Sequence, residues 1–270
     1  MGNFLDMTSW VCGGRAHLVG IGGAGMTGVA RLLLSSGVAV SGSDTIESAN
    51  VHLLRELGAQ VFVGHHSANL PDVEVTVVIS TAIRQENPEL VAARQRQLPV
   101  MVRAEALAAL MANHRAICIA GSAGKTSTTS MLTVALQHTG LDPSYAIGAE
   151  LIGSRTSAHL GTGDVFVTEA DESDRTFVAF SPEIAVVTNA GADHLDFYGT
   201  KEAYAAAFDE FAAAAKLAVK SVMNTRQLSG GVGLVLQLGS SETVNVVATS
   251  SGLVERQGRM QCVRGSGDRR

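Results

Sequence analysis

Aromatic residues are scarce: Phe, Tyr and Trp make up only 4% of the 270 residues, although 46% of the chain is hydrophobic. A sizeable core is therefore available, but it must be packed from aliphatic side chains and alanine, in one large or two modest domains. A surplus of positive charge is also lacking. Twenty Lys and Arg against 25 Asp and Glu leave a formal net charge of −5, which argues against a nucleic-acid binder with its basic face. The three cysteines, Cys12, Cys118 and Cys262, are far apart, odd in number and without metal-ligand spacing, so they read as reduced thiols of a cytoplasmic protein. No stretch approaches the roughly 18 apolar residues of a membrane helix. The opening MGNFLDMTSW has neither the basic-then-apolar order of a secretory leader nor the Ser or Thr of a myristoylation signal. The expectation is a soluble cytoplasmic protein with no membrane or nucleic-acid partner.

What is present is alternation. Residues 15–44 read as a βαβ unit: apolar Ala16–Ile21, glycines, then Met26, Val29, Ala30, Leu32 and Leu33 at helical spacing. Gly37 is a natural helix C-cap, and Val38–Ser41 a second strand running to Asp44. A weaker repeat follows, with a helix at 48–58, strands at Gln60–Val63 and Val75–Ser80, a helix near 88–96 and a strand at 99–102. Such alternation predicts an α/β fold with a parallel sheet. A second α/β block opens with the β-like run Arg115–Ala120 and a helix ending at Gly140. Strands are expected at Val165–Thr168 and Ile184–Thr188, and an alanine-rich helix at Lys201–Lys216 with Tyr204, Phe208 and Phe211 on its buried face. The domains so predicted are 1–113, 114–220 and an atypical Gly-, Ser-, Val- and Arg-rich tail at 221–270. Strand-like fragments at Val232–Leu238 and Val244–Val247 join neither domain on sequence grounds.

Two glycine-rich turns carry chemistry. Gly20-Ile-Gly22-Gly-Ala-Gly25 fits G-x-G-x-x-G in the required place, after a strand and opening a helix. Glycines there permit a tight turn and let a pyrophosphate reach backbone N–H groups; Asp44, at the next strand's end, can accept from a ribose hydroxyl. Close helix–strand packing alone would also use such glycines. The second turn, Gly121-Ser-Ala-Gly-Lys125-Thr126, again joins strand to helix. It lacks the first Gly of the full phosphate-loop pattern, Ile119 standing there, but keeps G-x-x-G-K-T. In such a loop N–H groups cradle phosphates, the Lys reaches the β- and γ-phosphates, and the Thr hydroxyl ligates Mg²⁺. Glu169-Ala-Asp-Glu-Ser-Asp174 and Asn189-Ala-Gly-Ala-Asp193-His194 both follow apolar strands, at the sheet edge where ligands bind and where carboxylates can supply hard oxygen ligands. Viewed alone, either segment could be a solvated loop or a structural histidine. His65, His66 and His159 sit in polar loop contexts and read as structural.

The order of these motifs resembles the Mur ligases, in which a Rossmann-like UDP-binding domain precedes a P-loop ATPase domain and a third domain. The residues that carry the resemblance are HLVGIGGAGMTGVARLLLSSGVAVSGSD at 17–44, EADESD at 169–174 and TNAGADHLDFYG at 188–199. They look most like the branch that joins L-alanine to UDP-N-acetylmuramate in peptidoglycan precursor synthesis. The resemblance implies phosphoryl transfer from ATP to the muramate carboxylate, then attack of alanine on the acyl phosphate. It implies that Gly20, Gly22 and Gly25 hold the UDP pyrophosphate, with Asp44 near the ribose and Ser80 and Thr81 near the sugar nucleotide. Gly121, Ser122, Ala123, Gly124, Lys125, Thr126 and Ser127, together with Asn189, would wrap ATP. Lys125, Glu169 and His194 would be the catalytic set, and Thr126, Glu169 and His194 would hold Mg²⁺.

This sequence departs from the family pattern in three ways. Ser122-Ala123 replaces a Thr-His pair, so altered rather than abolished nucleotide binding is expected. Ala190-Gly191 replaces a larger apolar–acidic pair before Asp193-His194. Beyond about residue 220 the resemblance fades, and the third domain is not seen. Two further readings accompany the ligase: a non-catalytic UDP-sugar- or ATP-binding remnant of one, and a nicotinamide dehydrogenase that would leave the second phosphate loop without a role.

Overall fold

The computed structural model describes residues 14–215 together with strands at Leu217–Lys220, Gln227–Leu228, Gly231–Leu238 and Glu242–Thr249. Cys12, Cys262 and the two chain ends lie outside the described residues. The chain forms two compact units, one of Met1–His114 with Ser144–Asp164, the other of Arg115–Pro143 with Val165–Arg270.

In the first unit the elements are β1 (Arg15–Val19), α1 (Ala24–Ser35), β2 (Ala39–Asp44), α2 (Ala49–Glu56), β3 (Gln60–Val63), β4 (Thr76–Ile79), α3 (Pro88–Gln95), β5 (Val100–Val102) and α4 (Arg103–Met111). The strands run in the order β3-β2-β1-β4-β5, all parallel. The strand order reverses at β1, between β2 and β4, which places the crevice at the carboxyl ends of these three strands. Register does the rest: Val19 faces Ser43 on one side and Ile79 on the other, so Gly20, Asp44 and Ser80 follow side by side.

Helix α1 forms because Met26, Val29, Leu32 and Leu33 share one buried face. It stops at Gly37, whose φ of 81° only glycine adopts cheaply. There Val38 N–H donates to Leu33 O at 3.0 Å and Gly37 N–H to Leu34 O at 3.0 Å, the paired bonds of a Schellman cap. Leu18, Leu32, Leu33, Leu54, Val77 and Leu90 are fully buried, each contributing roughly 1.5–3 kcal/mol of apolar transfer. Helix α4, not separable by pattern from the strand before it, is anchored by Glu105, whose Oε2 accepts from Val102 N–H at 2.9 Å.

Residues 144–164 lie within the second block in sequence but group with the first unit. Their β7 (Ser144–Ala146) and β8 (Ala158–His159) pair antiparallel. A Cβ added at Gly28 of α1 would lie in ordinary contact with Ala158 Cβ, at 3.6 Å, so β8 packs on α1 here, a contact without local periodicity.

The second unit holds β6 (Arg115–Ala120), α5 (Lys125–His138), β9 (Val165–Glu169), β10 (Ile184–Val187), α6 (Leu195–Tyr198), α7 (Lys201–Ala213) and β11 (Leu217–Lys220). Its strands are parallel in the order β11-β10-β6-β9. Tyr204, Phe208 and Phe211 of α7 are buried as their spacing predicts. Phe177 packs on Phe208 and Phe211, with ring centroids 5.4 and 5.1 Å apart. The tail fragments are β12 (Gln227–Leu228), β13 (Gly231–Leu238) and β14 (Glu242–Thr249), an antiparallel sheet. Among the described residues no helix is long and apolar enough to cross a membrane.

Candidate nucleotide and substrate sites

In the first unit a cleft of about 850 Å³ opens at the sheet's switch point, lined by Gly20, Gly22, Gly23, Asp44, Ser48, His65 and Ser80, among others. Gly20 has φ of 77° and turns the chain so that its own N–H and that of Ile21 donate to Ser43 O at 2.8 and 3.0 Å. Gly22 N–H donates to Asp44 Oδ2 at 2.8 Å, while Asp44 Oδ1 accepts from Ile46 N–H at 3.2 Å. Asp44 thus ties the glycine turn to the end of β2. Of the residues expected here, Gly20, Gly22, Asp44 and Ser80 line the cleft. Gly25 and Thr81 are not among its lining residues. Gly25 instead lies under Arg103, whose Nη1 would be 2.5 Å from an added Cβ.

A buried polar cluster behind this wall escaped the sequence reading. Glu89, in the first turn of α3, is fully buried and accepts from Ser43 Oγ at 2.5 Å, Asn69 Nδ2 at 2.6 Å and His66 N–H at 3.2 Å. His17 Nε2 and His65 Nδ1 lie 3.5 and 3.6 Å from its Oε2. Burial alone would push the Glu89 carboxyl up, but contacts from His17, Ser43 and Asn69 outweigh it and hold the carboxyl below its ordinary value. His65 also meets Ser43 Oγ at 2.8 Å, so the histidine read as structural is partly so, and also lines the cleft. The one available signal was His17, a polar residue in the middle of β1, between apolar Ala16 and Leu18.

In the second unit β6 runs straight into the phosphate loop. Gly121 has φ of 142°, and an added Cβ there would sit 2.0 Å from Thr188 Oγ1 and 3.0 Å from Asn189 O. Gly124 takes φ of 83° to start α5. Asn189, at the end of β10, clamps the loop: its Nδ2 donates to Ala123 O at 2.7 Å, and its Oδ1 accepts from Ala123 N–H at 3.2 Å and from Ser122 Oγ. Thr188 Oγ1 donates to Ala123 O at 2.7 Å. The result is a preformed cradle at the N-terminus of a 14-residue helix, the arrangement that binds phosphate through backbone N–H groups and the helix dipole.

Around the cradle, Thr126 Oγ1 donates to Glu169 Oε2 at 3.2 Å. Lys125 Nζ donates to Gly121 O at 2.8 Å and to Glu172 Oε1 and Oε2 at 2.9 and 2.8 Å. Glu172 is fully buried; sequence reasoning saw it only as one member of an acidic run. Ser127 is exposed in the first turn of α5. Tyr198 donates from its hydroxyl to Glu172 O at 2.5 Å, and burial, then the Glu172 charge, pushes the Tyr198 hydroxyl up to about 12. His194 begins α6 at φ of 49°, its Nε2 3.9 Å from Asp193 Oδ2. Among the described residues no three His, Cys, Asp or Glu side chains converge as a metal-holding group. The oxygen donors Thr126 and Glu169 suit a hard cation that keeps most of its own waters, as Mg²⁺ does.

Known proteins share this chain's sequence and fold. The model of the Mur ligase family catalytic domain matches residues 15–115, and that of the Mur ligase middle domain matches residues 119–233. A UDP-N-acetylmuramate–L-alanine ligase of Saccharopolyspora erythraea is 59% identical over 200 residues, covering 73% of this chain and 41% of that protein. One from Nocardioides is 58% identical over 199 residues, covering 74% and 44%. The crystal structure of UDP-N-acetylmuramate-alanine ligase MurC from Thermotoga maritima superposes with a TM-score of 0.72 at 30% identity, over 88% of this chain and 58% of that one. The chain thus spans about two fifths of the curated relatives it matches. Two glycine-rich strand–helix turns, in this order and on these sheets, together with matched domain models over residues 15–115 and 119–233, place the chain in the Mur ligase family.

Proposed function

We propose that this chain carries the UDP-sugar-binding and ATP-binding parts of a ligase that joins L-alanine to UDP-N-acetylmuramate in the cytoplasm, for peptidoglycan precursor synthesis. The observation that carries the reading is the phosphate loop, where no Cβ fits at Gly121 and the Asn189 side chain is hydrogen-bonded to both the N–H and the carbonyl of Ala123. The cleft of the first unit takes the UDP moiety, with the Gly20–Gly22 turn on the pyrophosphate and Ser80 and Thr81 toward the sugar. The second unit takes ATP on Gly121–Ser127. Thr126 and Glu169 would hold Mg²⁺, with His194 brought to a second ion. Such an ion, when bound, would supply positive charge against the charge that develops on the transferring phosphoryl group.

In this reaction the muramate carboxylate attacks the γ-phosphorus and ADP leaves. The alanine amine then attacks the acyl carbon, the amide forms, a proton is lost and inorganic phosphate departs. Lys125 stabilises the phosphoryl oxygens, and the helix dipole of α5 reinforces it.

The test is phosphate release by the purified chain with ATP, Mg²⁺, UDP-N-acetylmuramate and L-alanine, each omitted in turn. Release that needs all four establishes the ligase. No release, with UDP-sugar binding retained in calorimetry, marks a binding-competent chain without turnover. Lys125→Ala should weaken ATP binding and leave UDP-sugar binding intact; equal loss of both would sink the two-site assignment.

A further inference from the structure

The acidic segment after β9 divides its carboxylates between consecutive residues of the phosphate-loop helix. Glu169 takes the Thr126 hydroxyl, and Glu172, three residues on, takes the Lys125 ammonium through both oxygens. An ammonium has three N–H donors, and here they are directed at Glu172 and at Gly121 O. The lysine expected to grip phosphate is thus bonded to a buried carboxylate and a backbone carbonyl.

The two partners are not equally free to move. Glu172 is fully buried, while the Lys125 side chain is 19% exposed. The Glu172 carbonyl accepts from the Tyr198 hydroxyl at 2.5 Å and from Arg175 N–H at 3.2 Å, so its backbone is pinned from two directions. Lys125 has a flexible four-carbon stem at the start of α5. A phosphate arriving in the cradle therefore has to draw the ammonium from Glu172, because the carboxylate cannot follow it out.

We propose that Glu172 is a positioning residue that competes with phosphate for Lys125 and so sets how strongly the loop takes β- and γ-phosphates. The inference rests on the ATP-site reading above and deepens it: the buried carboxylate tempers the grip on any nucleotide whose phosphates reach Lys125. A nucleoside monophosphate, which does not extend to the lysine, is not subject to that competition.

The experiment is calorimetric titration of the wild-type chain and Glu172→Gln with ATP, ADP and AMP. The amide is isosteric and competes with phosphate for Lys125 more weakly than the carboxylate does. ATP and ADP should bind the variant about tenfold more tightly, the worth of one charge-assisted hydrogen bond, with AMP unchanged. Unchanged or weaker ATP and ADP binding by Glu172→Gln overturns the inference while leaving the ATP site standing. A wild-type chain that binds AMP as tightly as ATP removes the ATP-site reading and this inference together. A second measurement covers a variant that fails to fold. In the wild-type chain the Lys125 ¹⁵Nζ resonance should be sharp without nucleotide, because its protons are held, and should move with ADP but not with AMP. A resonance indifferent to ADP overturns the inference.

Discussion

Replacing Gly121 by alanine tests whether the phosphate loop is built as described. The new Cβ would stand 2.0 Å from Thr188 Oγ1, 3.0 Å from Asn189 O and 3.1 Å from Asn189 N, at φ of 142°. Two costs arise. A side chain held at such a φ loses about 1–3 kcal/mol, and overpacking against a fixed neighbour loses about 1–3 kcal/mol more. The neighbour cannot yield cheaply, because Thr188 Oγ1 is bonded to Ala123 O at 2.7 Å and Asn189 clamps the same loop. The expected loss is about 3–5 kcal/mol on these grounds, read by urea unfolding, with ATP binding lost in parallel. Thr188→Ala removes the closest atom and gives a double-mutant cycle. The double variant should lose at least 1 kcal/mol less than the sum of the singles, since residues in contact couple. A cost below about 1 kcal/mol for Gly121→Ala, or strict additivity with Thr188→Ala, would refute the geometry.

Three further outcomes are expected. The glycines of the first unit should differ in tolerance. Gly42→Ala drives a Cβ to 2.5 Å from the backbone oxygen of Leu18 and should cost 2 kcal/mol or more, roughly the upper range for overpacking. Gly25→Ala meets the Arg103 side chain rather than backbone, its Nη1 at 2.5 Å and its Cδ at 3.2 Å, so its unfolding midpoint should fall less than that of Gly42→Ala. Because the folded-state Glu89 carboxyl lies below its ordinary 4.5, its contribution is present above that pH and is lost as pH falls toward the folded value. Acid titration of unfolding should show a decline beginning near pH 4.5 that is absent in Glu89→Gln. Burial pushes the Cys118 thiol up, so mass-mapped alkylation should label Cys118 only after unfolding. Labelling of the native chain at Cys118 would contradict its place in the core.

Much of the architecture was legible because it is written in local pattern. Strands β3 and β6 begin and end at the residues their composition predicts, and Gly37 ends α1 with the bonds a C-cap glycine makes. The glycine turns were readable because positive φ and close backbone approach demand glycine at Gly20 and Gly121 whatever the ligand. Lys125 and Thr126 were readable because their function requires adjacency to such a turn.

Contacts between distant segments were decided only by the tertiary structure. No spacing rule joins Glu89 to Ser43 and Asn69, or Glu172 to Lys125, across 46, 20 and 47 residues of sequence. The return of Ser144–Asp164 to the first unit, where Ala158 lies against Gly28 of α1, follows from no local periodicity. Sequence alone determined which residue types stand at the ends of the strands, since backbone geometry and phosphate chemistry restrict those types locally. Which carboxylate is buried, and which cation it compensates, depends on how strand register and loop closure bring remote groups into one low-dielectric place.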